Sequence, residues 1–182
     1  MKTRLPQFVL LTIVSLSMLS YSSAQTKEIC SLTRLPNAAS ELLKTEFPLW
    51  RAKQISDLEA YDRQLWIEEH PKECPGIAIG YFEGSEQLAY AVLLIPKKES
   101  IRGYKIVVLN ELGSAFSAKV LEQGQSSEGL VISVAAPGQY SDFENTEAAN
   151  LKADGIYVQW IEKAALLYYW SGGRYHKLQT SD

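Results

Sequence analysis

The side chains best suited to chemistry are few and scattered. Two histidines are present, His70 and His176; they lie more than a hundred positions apart, whereas zinc takes several His or Cys ligands at short spacings. His70 precedes Pro71 directly after a helical pattern, where capping the helix end is the ordinary role. The serines form no G-x-S-x-G elbow and no S-x-x-K set, and the glycines form no G-x-x-x-x-G-K-[ST] cradle. These patterns imply no metal and no cofactor. Acidic side chains such as Glu59, Asp62 and Glu68 fall on the polar side of a helical segment, a solvated face rather than an acid and base pair.

The two cysteines, Cys30 and Cys74, read as a structural bridge. Closing a loop of about 45 residues contributes roughly 4 kcal/mol on the chain-entropy model. A reactive thiol would want a basic neighbour; His70 is four residues before Cys74, but Glu69 and Glu73 would hold a thiol protonated.

Aromatic residues crowd the C-terminus: Tyr157, Trp160, Tyr168, Tyr169, Trp170 and Tyr175. On a strand over 164–170 both faces are apolar, with Leu166, Tyr168 and Trp170 on one side and Ala165, Leu167 and Tyr169 on the other. That pattern predicts cover on both sides, helices on one and a second sheet layer on the other. The competing reading is an aromatic binding platform of Trp160, Tyr168 and Trp170 with Arg174 and His176 at its rim, residue types enriched at protein interfaces. Alternation puts Arg174 and His176 together on the wetter side of the last strand.

The elements that must position these residues follow from periodicity. Asn37 is an N-cap candidate for a short helix over 38–47 that buries Leu42, Leu43 and Phe47 and stops at Pro48. A second helix is expected over 57–69, with Leu58, Tyr61, Leu65 and Trp66 on its apolar side and Pro71 ending it. Strand signals then occupy 77–82, 88–95, 104–109, 116–121, 130–134, 156–161, 164–170 and 174–178, separated by Gly-rich and polar turns. Their connections are too short for helical crossovers, so the sheet is expected to be antiparallel. The exception is 137–154, a long acidic stretch with one helical turn expected near 147–151. The predicted fold is α+β: two N-terminal helices packed on a mainly antiparallel, curved sheet or partly open barrel of about eight strands.

Residues 1–24 have the form of a cleavable signal peptide: Lys2 and Arg4, an apolar run over 8–19, then Ser22, Ser23 and Ala24. A membrane span needs about 20 apolar residues, and this run is broken by Thr12, Ser15 and Ser17. Cleavage would leave a linker over 25–36 and a single domain over 37–182, with no membrane insertion. Loss of Lys2 and Arg4 reduces the 18 basic residues to 16 against 21 acidic ones. That balance, without a basic run, excludes nucleic acid as partner. Export implies a periplasmic or extracellular location and an oxidising environment for the cysteines.

Residues 80–94, reading G-Y-F-E-G-S-E-Q-L-A-Y-A-V-L-L, resemble the calcium-loop hairpin of FG-GAP and VCBS-type repeats. The resemblance implies a hairpin whose acidic side chains would cage calcium; here the ligand positions hold Tyr81, Glu83, Ser85 and Ala89, so most of the cage is gone. The same stretch, with Cys74-Pro75-Gly76 before it and the 168–175 hairpin at the end, is similar to small exported bacterial proteins of unassigned function. Together these features point to an exported, non-enzymatic binding or interaction protein of the inhibitor, immunity or envelope accessory kind. Its partner would be another protein or an envelope component. The alternative is an envelope hydrolase using a carboxylate pair. The leader is tested by mass spectrometry of exported protein: the expected N-terminus is Gln25 or its pyroglutamate, and a retained Met1 would refute it.

Overall fold

A computed structural model describes Cys30, residues 34–84, 86–98 and 100–182. The expected signal peptide and most of the expected linker lie outside the described residues. Among the described residues the fold is mostly β, with two helices and antiparallel sheets, none closed into a barrel.

Helix α1 (Asn37–Glu46) buries Ala39, Ser40 and Leu43. Asn37 does not cap it. Pro36 stands at the cap, and its carbonyl accepts from Ser40 N at 3.0 Å; its fixed φ suits a helix entry. Strand β1 (Trp50–Ala52) follows, then a 3-10 turn (Ile55–Asp57) and α2 (Ala60–Glu69). The second helix thus begins later than its pattern suggests, because the Asp57 carboxylate accepts from Gln54 N and is gripped by both terminal nitrogens of Arg51 at 2.6 Å. Leu58 at its entry stays extended. Leu58 and Trp66 are buried as expected, whereas Tyr61 is exposed and donates its hydroxyl proton to Glu162 at 3.0 Å.

All eight expected strands form, and with β1 and one further hairpin they make eleven among the described residues. In the first sheet β3 (Ala89–Pro96) pairs with both β1 and β2 (Ile77–Gly80) on one side and with β4 (Tyr104–Leu112) on the other; β5 (Ala115–Gly124) is the far edge. The second sheet runs β11 (Arg174–Ser181), β10 (Ala164–Ser171), β9 (Gly155–Trp160), β6 (Leu130–Ala135). The stretch expected to hold a helical turn instead forms a hairpin of β7 (Gly138–Ser141) and β8 (Ala148–Leu151). Its turn is organised by Asp142, which accepts from the N–H groups of Thr146 and Glu147 at 2.7 and 3.1 Å. Buried Ala149 and Leu151 alternate with exposed neighbours, the period of a strand.

Three apolar layers result. Leu43 of α1, Trp66 of α2 and Leu58 just before α2 join Tyr90, Val92, Leu94, Val107 and Leu109 on the outer face of the first sheet, with Val131 of β6 in the same cluster. The other face of that sheet meets the second sheet through Leu93, Ile106 and Val108 against Leu130, Ile156, Val158 and Tyr168. The β7–β8 hairpin covers the outer face of the second sheet through Ala149 and Leu151 against Leu167 and Leu178. Strand β10 is therefore covered on both sides, as its composition requires, but by a sheet and a hairpin; the helices lie on the first sheet.

The Cys30–Cys74 disulfide forms, and both residues are buried. Beside it, Gly76 admits no side chain: a Cβ there would stand 2.2 Å from the Lys53 carbonyl oxygen. Replacing both cysteines by serine should lower unfolding free energy by about 2–5 kcal/mol, read from denaturant midpoints. An unchanged midpoint would show that the bridge carries no stability.

Candidate functional site

The five aromatic and basic residues singled out in the sequence do not form one cluster, although Arg174 and His176 lie side by side. Strands β10 and β11 are joined by a two-residue turn, Gly172 and Gly173, both at positive φ, the geometry that twisted hairpins favour. Such a turn pairs Trp170 with Tyr175, Tyr169 with His176 and Tyr168 with Lys177. Directly paired residues share a face. Tyr168 and Trp170 consequently face the intersheet core with Tyr175 and Lys177, while Arg174 and His176 lie on the opposite side. Trp160 shares the inward face but pairs with Ala164, six residues along β10 from Trp170 and so about 20 Å away. This register places Trp160, Tyr168 and Trp170 on one face and Arg174 and His176 on the other.

Each member has its own surroundings. Tyr168 is buried and donates its hydroxyl proton to Glu122 of β5. Burial, with the Glu122 carboxylate beside it, raises its pKa. Trp160 packs its edge on Tyr104 at 6.3 Å between centroids. Trp170 and Tyr175 meet edge to face at 5.0 Å, and the exposed Lys119 places its ammonium 5.7 and 5.4 Å from the two ring centroids, within cation–π range. Burial and then Glu83 raise the Tyr175 pKa; its buried hydroxyl lies near that carboxylate without a hydrogen bond of good geometry. On the outer face the His176 ring stacks on Tyr169 at 5.4 Å, with Nε2 3.1 Å from the Ser171 carbonyl oxygen and 3.4 Å from Arg174 Nε.

The surface that does assemble is one end of the two-sheet body, where the β2–β3, β4–β5, β8–β9 and β10–β11 connections meet. Asn110 donates to Glu83 at 2.9 Å, and Tyr81 N donates to the Asp154 carboxylate at 2.8 Å. Lys119 reaches across from β5 to Trp170 and Tyr175. Around these braces Tyr81, Leu88 and Leu112 are exposed, Leu112 by 63%. Glu83, which the hairpin resemblance would assign to calcium, is engaged with Asn110; among the described residues no three His, Cys, Asp or Glu side chains are grouped to hold a metal.

A groove of about 170 Å³ lies between α2 and the end of β9, lined by Leu65, Trp66, Glu69, Gln159, Ile161 and Glu162. Pockets for small ligands usually reach about 300–1,000 Å³. His70 lies outside its lining: its ring stacks on Trp66 at 4.2 Å, and its Nδ1 is 3.2 Å from Glu73.

Sequence reasoning overlooked Tyr81, Leu88 and Leu112, since apolar residues beside turns look like strand ends. The separation of Arg174 and His176 from Trp170 was legible, because a two-residue turn at 172–173 fixes which positions pair. No family model, curated protein or solved structure matches the chain.

The contrast between core and surface members is measurable. Tyr168→Ala should cost about 3–5 kcal/mol of stability, whereas Arg174→Ala, on the exposed turn, should stay within about 0.5 kcal/mol. Equal losses in thermal melts would contradict this placement.

Proposed function

We propose that the chain is a non-enzymatic binding or interaction protein of the exported kind, acting in the periplasm or outside the cell, and that the end carrying the four connections is its contact surface. The observation that carries this reading is the set of exposed Tyr81, Leu88 and Leu112 on connections braced by Glu83–Asn110 and Asp154–Tyr81 bonds. Apolar and aromatic side chains held in place before binding lose little freedom when a partner covers them. Trp170, Tyr175 and Lys119 extend the same end with an aromatic and cationic edge. The disulfide agrees with a location outside the cytoplasm, and no helix among the described residues is long and apolar enough to cross a membrane. The partner is expected to be another protein or an envelope component.

A carboxylate-pair hydrolase is the second reading, supported by Glu69 and Glu162 lining one groove. The two readings separate by mutation. The immobilised wild-type domain should retain a partner from the envelope fraction of its source. Leu112→Asp combined with Tyr81→Ala should keep the melting temperature and weaken that retention at least tenfold, with Glu69→Gln and Glu162→Gln having no effect. Unaltered retention by the first pair would displace the surface from this end. Turnover of envelope polymer abolished by the glutamine variants would establish the hydrolase.

A further inference from the structure

We propose that Lys53 is a proton-operated latch on the connection between the two sheets: its uncharged amine holds residues 125–129 closed, and protonation drives the side chain toward solvent and opens that segment. Lys53 follows β1 and is only 2% exposed, a rare burial for a lysine. Its backbone is held in place, with N–H donating to the Leu93 carbonyl at 2.9 Å and its own carbonyl pressed against Gly76. The side chain runs from that fixed point to the Ser127 carbonyl, which accepts from Nζ at 2.5 Å. The ammonium has three protons to place, and among the described residues this carbonyl is its one hydrogen-bond acceptor.

The charged groups around it do not neutralise it. Asp57 faces Lys53 from the 3-10 turn, but Arg51 occupies both of its oxygens. Asp62 faces it from α2 and lies beside Gly129 at the end of the same connection. No carboxylate is within ion-pairing distance of Lys53 among the described residues. An ammonium desolvated in this way costs free energy that the side chain recovers by moving outward, where water and Asp62 can take it.

The segment it pins is the only covalent link from β5 to β6. Gly129 O accepts from Ile161 N at 3.0 Å and Ser127 O from Leu130 N at 3.2 Å, so opening would release the first residue of β6 and the β9–β10 turn together. Burial pushes the Lys53 pKa down to about 8, against a weaker upward pull from Asp57 and then Asp62. The ordinary value is 10.5. The closed form therefore binds fewer protons than the open one between these values, and closure strengthens as pH rises through that window.

The test is native-state hydrogen exchange of the Leu130 and Ile161 amides from pH 7 to 10, expressed as protection factors, in the intact disulfide-bonded protein. In the wild type, protection should rise on the order of 30-fold between pH 8 and 10, with these amides exchanging before those of β3. Lys53→Met, which fills the same space without charge, should give high protection with no rise over that range. Asp62→Asn, which keeps Lys53 and removes its upward pull, should move the rise to lower pH; this variant carries the test if Lys53→Met does not fold. A flat wild-type profile, the same rise in Lys53→Met, or an unmoved rise in Asp62→Asn would overturn the proposal.

Discussion

The structure depends on a three-residue elbow, Cys74-Pro75-Gly76, at which four parts of the chain are held at once. Cys74 carries the disulfide to Cys30, and the Pro75 carbonyl accepts from Ile132 of β6 at 2.9 Å. The Gly76 carbonyl accepts from Leu93 of β3, while Gly76 itself lies against Lys53 too closely for any side chain. One backbone turn thus joins the N-terminal segment, the first sheet and the second sheet. A residue larger than glycine would separate the strand β3 from the segment after β1, both of which the elbow brings within hydrogen-bonding distance.

Layering follows from that junction. With β6 seated beside the elbow, the second sheet faces the first, and β3 is buried along almost its whole length. Each sheet then has an outer apolar face that needs its own cover, supplied by the two helices in one case and the β7–β8 hairpin in the other. Faces used in this way are not available to partners. Among the exposed apolar side chains, Tyr81, Leu88 and Leu112 lie on connections and strand ends, whereas Val120 lies within β5, Val134 within β6 and Tyr61 on α2.

Polar groups inside such a body are tolerated where they connect elements that apolar contact alone would leave free to slide. Glu122 accepts a hydrogen bond from the Tyr168 hydroxyl and lies 3.4 Å from Lys177, tying the edge strand β5 to the second sheet without backbone pairing. Inward-pointing charge on an edge strand also discourages a further strand from adding there. Lys53 is the costlier case, since its amine leaves water with one carbonyl acceptor and no paired carboxylate among the described residues.

The sequence by itself determined the local elements: eight strands and two helices are placed by hydrophobic period, turn residues and prolines, because those signals act within a few residues of chain. It also determined the pairing of Cys30 with Cys74, two cysteines having only each other. The β7–β8 hairpin was hidden by its acidic turn, D-F-E-N-T-E over 142–147, whose order comes from Asp142 closing on Thr146 and Glu147. Only the tertiary structure decided which apolar face meets which, dividing the strands between separate sheets and placing the helices on the first. The same step removed Tyr168 into the core, sent Arg174 and His176 to the far face, and buried Lys53, whose position in the sequence looks like any surface lysine. Long-range packing sets these outcomes, and no period or spacing within a single element records the partner across the core.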